Sequence, residues 1–133
     1  MIHHPSTVHW DTTLKQIFDE IDDYLEHTYG DLYHLRPNRP ARGETSNKEH
    51  DGLFNVGSSF SAGFGSSLGR GFVVSVHLST LQPVESAIYH QIMEVVIQLL
   101  REKLPERFPG RELKVDWDGD NLKIHGDLSL GEL

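Results

Sequence analysis

Two histidines and an aspartate are the residues best suited to acid–base chemistry. His77, His125 and Asp127 occupy polar positions of two segments in which apolar and polar residues alternate. Histidine exchanges a proton near neutral pH, and a neighbouring carboxylate can orient its ring. We predict that His77 or His125 serves as the general base of an acid–base pair and that Asp127 orients its ring. The order of the strands decides whether these side chains meet.

Four arginines are candidates for binding an anion. Arg36, Arg39 and Arg42 recur at every third position, and Arg70 lies in a glycine-rich stretch. The planar guanidinium group pairs with a carboxylate or a phosphate through two hydrogen bonds. These residues predict contact with an anionic small molecule or protein partner. The alternative is that the arginines neutralise the acidic side chains of the first helix.

The charge of the chain is unevenly distributed. Residues 1–33 carry one lysine against seven carboxylates, residues 34–71 carry five basic residues against three acidic ones, and residues 72–133 carry six against ten. The middle segment is therefore locally cationic within a protein of net charge -8. Local charges dominate the potential within about 10 Å at ordinary salt, so this segment can attract an anion. The overall negative charge argues against a nucleic-acid partner.

The composition excludes several classes of protein. The chain has no cysteine, which rules out disulfide scaffolds, thiol catalysis and iron–sulfur clusters. The glycine-rich stretch before Phe72 joins two predicted strands and lacks the lysine followed by serine or threonine of a phosphate-binding loop. The alternating aspartates Asp116, Asp118 and Asp120 fit a hairpin turn better than a calcium loop. We therefore predict neither a cofactor nor a metal site.

Neither a membrane span nor a targeting segment is visible in the sequence. No stretch approaches the roughly 20 apolar residues that cross a bilayer. The first residues, MIHHPSTVHWD, lack the basic and apolar regions of a secretory signal. We therefore expect a cytoplasmic protein without membrane contact.

Two helices follow from the spacing of apolar residues. The first is predicted over Thr13–Tyr29, where apolar residues recur at intervals of three and four, and Gly30 stops it. The second is predicted to start with Pro83 in its first turn and to carry a broad apolar stripe as far as Leu104. The segment Pro105–Gly110 ends it.

Four strands follow from the alternation of apolar and polar residues. They are predicted over residues 53–62, 72–79, 112–117 and 122–128, and each has one apolar face. Phe60 and Trp117 lie on these apolar faces and are predicted to enter the core.

The elements assemble into one predicted domain, residues 1–133, in the order α-β-β-α-β-β. We predict an α+β two-layer sandwich, with two helices packed on one face of a mostly antiparallel four-stranded sheet. Residues 1–10 are predicted to be flexible or to add a short strand, and residues 34–52 to form a long basic loop. The second face of the sheet is polar. Three interpretations of it are open: a solvated surface, a dimer interface or a platform that binds a ligand.

Two functions are compatible with these features. The first is a small binding or interaction module, which we expect to be a homodimer and to bind an anion through the arginine-rich loop and the polar sheet face. The second is a small enzyme on the same surface, with the histidine and aspartate pair as the acid–base group and Arg42 holding an anionic substrate.

Overall fold

Two helices and four strands build the protein. A computed structural model describes residues 5–48 and 50–128, and side chains from residue 9 onward. The elements are α1 (Pro5–Tyr29), β1 (Phe54–Ser61), β2 (Gly71–Leu78), α2 (Ser86–Arg107), β3 (Leu113–Asp118) and β4 (Asn121–Gly126).

The four strands form one antiparallel sheet in the order β1-β2-β4-β3. The two hairpins, β1–β2 and β3–β4, join through their second strands, so β1 and β3 are the edges of the sheet. Helix α1 packs along β1 and helix α2 along β3. The predicted element order and α+β class are confirmed.

The core lies between the helices and one face of the sheet. Each helix buries one apolar stripe there, and each strand buries its alternate side chains, as the period of 3.6 and the period of two require. The least exposed core residues are Ile17, Ile21, Leu25, Leu53, Phe54, Ile92, Val96, Leu100 and Ile124.

Helix α1 starts earlier than the sequence predicts. It begins at Pro5 instead of Thr13, so the short strand predicted within residues 1–10 is wrong for residues 5–10. Proline fits the first helical position because that position needs no N–H donor. Trp10, which stacks on Phe108 with ring centroids 4.3 Å apart, anchors the added turns to the core. Residues 1–4 lie outside the described part of the chain.

Helix α2 is displaced toward the C-terminus relative to its prediction. It begins at Ser86 rather than around Pro83, and it continues through Pro105 to Arg107. Proline removes one backbone donor, so the last turn of the helix loses one intrahelical bond. The N–H of Phe108 donates to the carbonyl of Leu104 at 2.8 Å and closes the last turn.

Two aromatic residues predicted to enter the core are exposed. Phe60 is 60% exposed and Trp117 is 39% exposed. Both lie near the outer ends of edge strands, where helices cover the sheet only in part. Phe60 borders an unfilled groove between α1 and β1.

Packing of the two helices against the sheet predicts that replacing an interior leucine lowers the free energy of unfolding much more than replacing a surface leucine. Leu100 is fully buried in α2, so Leu100→Ala should lower the free energy of unfolding by about 2–5 kcal/mol through lost contacts and the remaining cavity. Leu81→Ala is the control, because Leu81 is 68% exposed and should change stability by less than about 0.5 kcal/mol. Urea unfolding monitored by circular dichroism measures both, and equal effects would contradict this packing.

Candidate functional site

Carboxylates of α1 bind the backbone at the edge of β1. Glu26 accepts hydrogen bonds from the N–H groups of Leu53, at 2.9 Å, and Phe54, at 3.1 Å. Asp22 accepts from the N–H of Val56 at 3.3 Å. Backbone donors buried at a sheet edge need such partners. Part of the acidic face of α1 is therefore turned inward, to hold the edge strand.

Arg42 neutralises these carboxylates. Its guanidinium pairs with Asp22, with Glu26 at 3.2 Å and with Asp51 at 2.9 Å. Asp22 and Asp51 are almost fully buried, so they need a cation close by. The side chain of Arg42 is thus paired within the protein.

Asp51 organises the loop around Arg42. Its carboxylate accepts from the backbone N–H groups of Gly43, at 3.0 Å, and Thr45, at 3.3 Å. Burial raises the pKa of Asp51, but these hydrogen bonds, together with that of the Thr45 hydroxyl and the charge of Arg42, outweigh burial and hold the pKa below its ordinary value. The carboxylate therefore stays ionised at neutral pH.

Arg39 also binds the protein itself. Its Nε donates to the carbonyl of Gly52 and its Nη2 to that of Asp51, both at 3.0 Å. These bonds tie the basic loop to the segment that leads into β1. The guanidinium has five donors. Within the described part of the chain it bonds to these two backbone carbonyls and to no side chain.

Arg36 lies at an open depression of about 540 Å³ beside the polar face of the sheet. Asn55 and His77, which are paired across β1 and β2, line it together with Arg39 and His50. The other lining residues are Pro37, Asn38, Pro40 and Ser79. Within residues 5–48 and 50–128 the Arg36 side chain has no hydrogen-bond or ion-pair partner. No carboxylate among the described residues lines this depression.

Arg70, the fourth predicted anion ligand, lies elsewhere. It is exposed and directly precedes β2, whereas His77 lies near the opposite end of that strand. The separation along the strand is roughly 20 Å at about 3.4 Å per residue. The structure thus brings Arg36 and Arg39 to His77 and keeps Arg70 apart from them.

His125 pairs with a different carboxylate from the one considered in the sequence. Its Nε2 lies 2.8 Å from Oδ2 of Asp116, across the β3–β4 pair. Asp127 instead lies near Arg111, with Nη1 and Oδ1 3.8 Å apart. Continued register between β2 and β4 places His125 opposite Gly71, about 20 Å along the strand from His77. The two histidines therefore do not share one site.

The polar face of the sheet is only partly open. Lys123 is 1% exposed because the loop between β1 and β2 folds over it. Its Nζ donates to the carbonyl of Gly69 at 2.8 Å and lies 2.8 Å from Asp118. The hydrogen bond with Lys123 lowers the pKa of Asp118, and a second bond, from Ser66, adds to it.

We call Lys123 and its contacts with Gly69 and Asp118 the lysine clamp. The sequence does not predict it, because the alternation of apolar and polar residues places Lys123 on a solvated face. The only available signal was the small-residue composition of residues 62–70, which permits close packing on a strand. Gly63 shows this directly, because its φ is 82° and a Cβ there would lie 2.2 Å from the backbone of Gly69.

The described residues also bear on two other features, a metal site and a membrane span. No group of three or more histidine, aspartate or glutamate side chains within residues 5–48 and 50–128 is arranged to hold a metal ion. None of the helices in that part of the chain is long and apolar enough to cross a membrane.

Comparison with known proteins places the chain in a family. A family model described as "Uncharacterised protein" matches residues 5–126, and the chain belongs to that family. A protein of Borreliella burgdorferi described as "Uncharacterized protein" is 36% identical over 117 residues, which cover 88% of this chain and 91% of that protein. No solved structure matches the chain.

Removal of the Arg42 charge should destabilise the fold. Arg42→Met leaves the buried carboxylates of Asp22 and Asp51 without their cation, so the free energy of unfolding should fall by about 3–5 kcal/mol. Lys48→Met is the matched control, because Lys48 pairs with Asp23 on the surface and should contribute less than about 1 kcal/mol. Urea denaturation of both variants checks this, and similar losses would show that Arg42 does not hold the carboxylates.

The lowered pKa of Asp51 predicts a loss of stability in acid. Because the folded-state pKa lies below the unfolded value, the unfolded chain binds more protons once the pH falls toward about 4. The contribution of Asp51 should be complete above that range and disappear as the pH falls through the folded-state pKa. Urea titrations from pH 7 to pH 3 should show a steeper loss for the wild type than for Asp51→Asn. Parallel curves would exclude this role.

Proposed function

We propose that this protein is a binding module for a small anionic group, a phosphate or a carboxylate, and that it acts as a homodimer. The anion binds in the depression at Arg36 and His77. The observation that carries the proposal is the Arg36 guanidinium, which lies beside two histidines and has no partner among the described residues. Free guanidinium groups bind carboxylates and phosphates through paired hydrogen bonds.

The distribution of the other charges supports this position. Arg42 and Lys48 of the same loop are paired with carboxylates of α1, so they do not contribute a free cation. Arg36 remains, and the hydrogen bonds of Arg39 leave its Nη1 for a ligand. An anion at this point meets donors from Arg36, Arg39 and the cross-strand pair Asn55 and His77.

The enzyme alternative has less support from the geometry. It needs a histidine oriented by a carboxylate within hydrogen-bond reach of a substrate. His77 lines the depression, but no carboxylate of residues 5–48 and 50–128 lines it. His125 has its carboxylate, Asp116, but is 9% exposed and lies far from Arg36 along the sheet. The acid–base pair and the anion site are therefore separate, which favours binding over catalysis.

Titration of the protein with inorganic phosphate and with acetate tests the proposal. Calorimetry should detect binding of one or both anions to the wild type. Arg36→Gln and His77→Gln should each weaken it by about tenfold or more, since a hydrogen bond to a charged group contributes about 1.5–3 kcal/mol. Both side chains are exposed, so circular dichroism should show an unchanged fold.

Lys114→Gln is the matched control, because Lys114 is an exposed cation on β3 outside the depression. It should leave the affinity unchanged. Absence of heat with both anions, or a loss with Arg70→Gln but not with Arg36→Gln, would show that this depression is not the site.

A further inference from the structure

The edge of β1 is covered along one half and open along the other. Phe54 and Val56 direct their N–H groups outward, where Glu26 and Asp22 accept them. Antiparallel pairing with β2 runs without interruption from residue 54 to residue 61, so outward direction alternates along the strand. Ser58 and Phe60 therefore also present their N–H and C=O groups outward. Within the described residues these groups have no partner.

A groove of about 330 Å³ opens next to this free half. Its walls are α1 and β1, and Leu14, Phe18 and Phe72 supply apolar surface. Ser58 lines it with a side chain too small to fill it. Phe60, on the same face two residues later, is 60% exposed.

The open half lacks the features that protect natural sheet edges. The sequence Ser58–Ser61, SSFS, contains no charged residue and no proline. Its pairing with β2 shows no bulge. Edge strands of this kind readily pair with another strand, whereas charges, prolines or bulges prevent such pairing.

We propose that a second copy of this chain pairs with this edge, β1 against β1, in antiparallel orientation about a two-fold axis at Ser59. This proposal rests on the homodimer in the proposed function and assigns its interface. Ser58 of each copy then lies opposite Phe60 of the other. Both residues direct their backbone groups outward, so the pairing forms four hydrogen bonds between the copies.

The side chains complement each other in the same register. Residues directly opposite in an antiparallel pair lie on the same face of the sheet. Phe60 of one copy therefore lies over Ser58 of the other, at the groove that the small serine leaves open. The two-fold axis creates this contact twice, and it covers the exposed ring of each Phe60.

A second copy fits this edge better than a strongly charged segment of another protein. The groove wall carries one cation, Lys15, and two carboxylates, Asp11 and Asp19, and Lys15 pairs with Asp19 at 3.2 Å, so the wall has too little net charge to select a strongly charged strand. The neutral strand of a second copy matches it. In this register β1 of the second copy ends at Ser61, opposite Gly57, before it reaches Val56 and the carboxylate of Asp22.

Cysteine cross-linking tests the register. The two Ser59 residues face each other in a non-hydrogen-bonded pair, where Cα atoms lie about 4.5 Å apart, within the range of a disulfide. The chain has no cysteine, so Ser59→Cys introduces the only thiol. Mild oxidation should give a covalent dimer in high yield. Ser75→Cys, an exposed position on the central strand β2, is the control and should stay monomeric on denaturing gels.

Light scattering tests the interface itself. The wild type should have twice the chain mass of 15.1 kDa, and Ser58→Pro and Phe60→Asp should reduce it to a single chain. Ser58→Pro removes an outward N–H that the ladder with β2 does not use, so the fold should persist. Leu81→Asp, at another exposed apolar residue, should remain a dimer.

Three outcomes would overturn the proposal. They are a monomeric wild type, a dimer that survives both edge variants, and Ser59→Cys cross-linking no faster than Ser75→Cys. Phosphate and acetate titrations of the same proteins distinguish a failure of the interface from a failure of the anion site. A dimer that binds neither anion overturns the anion site alone. A monomer that binds one overturns the homodimer together with its interface, and a dimer that survives both edge variants overturns the interface alone.

Discussion

The edge of β1 imposes the constraint on which much of this structure depends. An edge strand packed beneath a helix has backbone donors that water cannot reach, and each needs an acceptor. Asp22 and Glu26 provide acceptors from α1. Carboxylates in such a buried place need a positive charge, and Arg42 supplies it from the loop. The helix, the edge strand and the loop are thus stabilised as one unit.

This unit also determines where free positive charge remains. The chain is acidic, yet its basic loop pairs with α1 only at Arg42 and Lys48 within the described residues. Arg39 fastens the loop to the backbone before β1. Arg36 is held next to the sheet by its own N–H, which donates to the carbonyl of Ser79 at 2.9 Å, while its side chain has no partner among the described residues. Structural pairing at one end of the loop therefore leaves the Arg36 cation at the other end.

Each face of the sheet is covered at one end and accessible at the other. At the end near Gly69, a buried lysine holds the glycine-rich loop against the polar face. At the end near His77 no such clamp is present among the described residues, and the face remains accessible. On the helical side, α1 covers β1 closely at Val56 but leaves a groove at Phe60. The accessible surfaces are thus those that are covered neither by the carboxylates of α1 nor by the loop that Lys123 holds.

The element order, the α+β class and most of the core follow from the spacing of apolar residues, because each spacing has a period that only one kind of element satisfies. The sequence also predicted Arg36 as an anion ligand and His77 as an acid–base residue, and both line the same depression. It could not separate Arg36 from Arg42, since both are arginines in one loop and only the position of α1 decides which one meets Asp22. Likewise, His125 paired with Asp116 rather than Asp127 because strand register, a property of the assembled sheet, sets which side chains are neighbours. Local patterns record which residues can be buried or exposed, whereas the pairing of charges across distant segments exists only once the chain has folded.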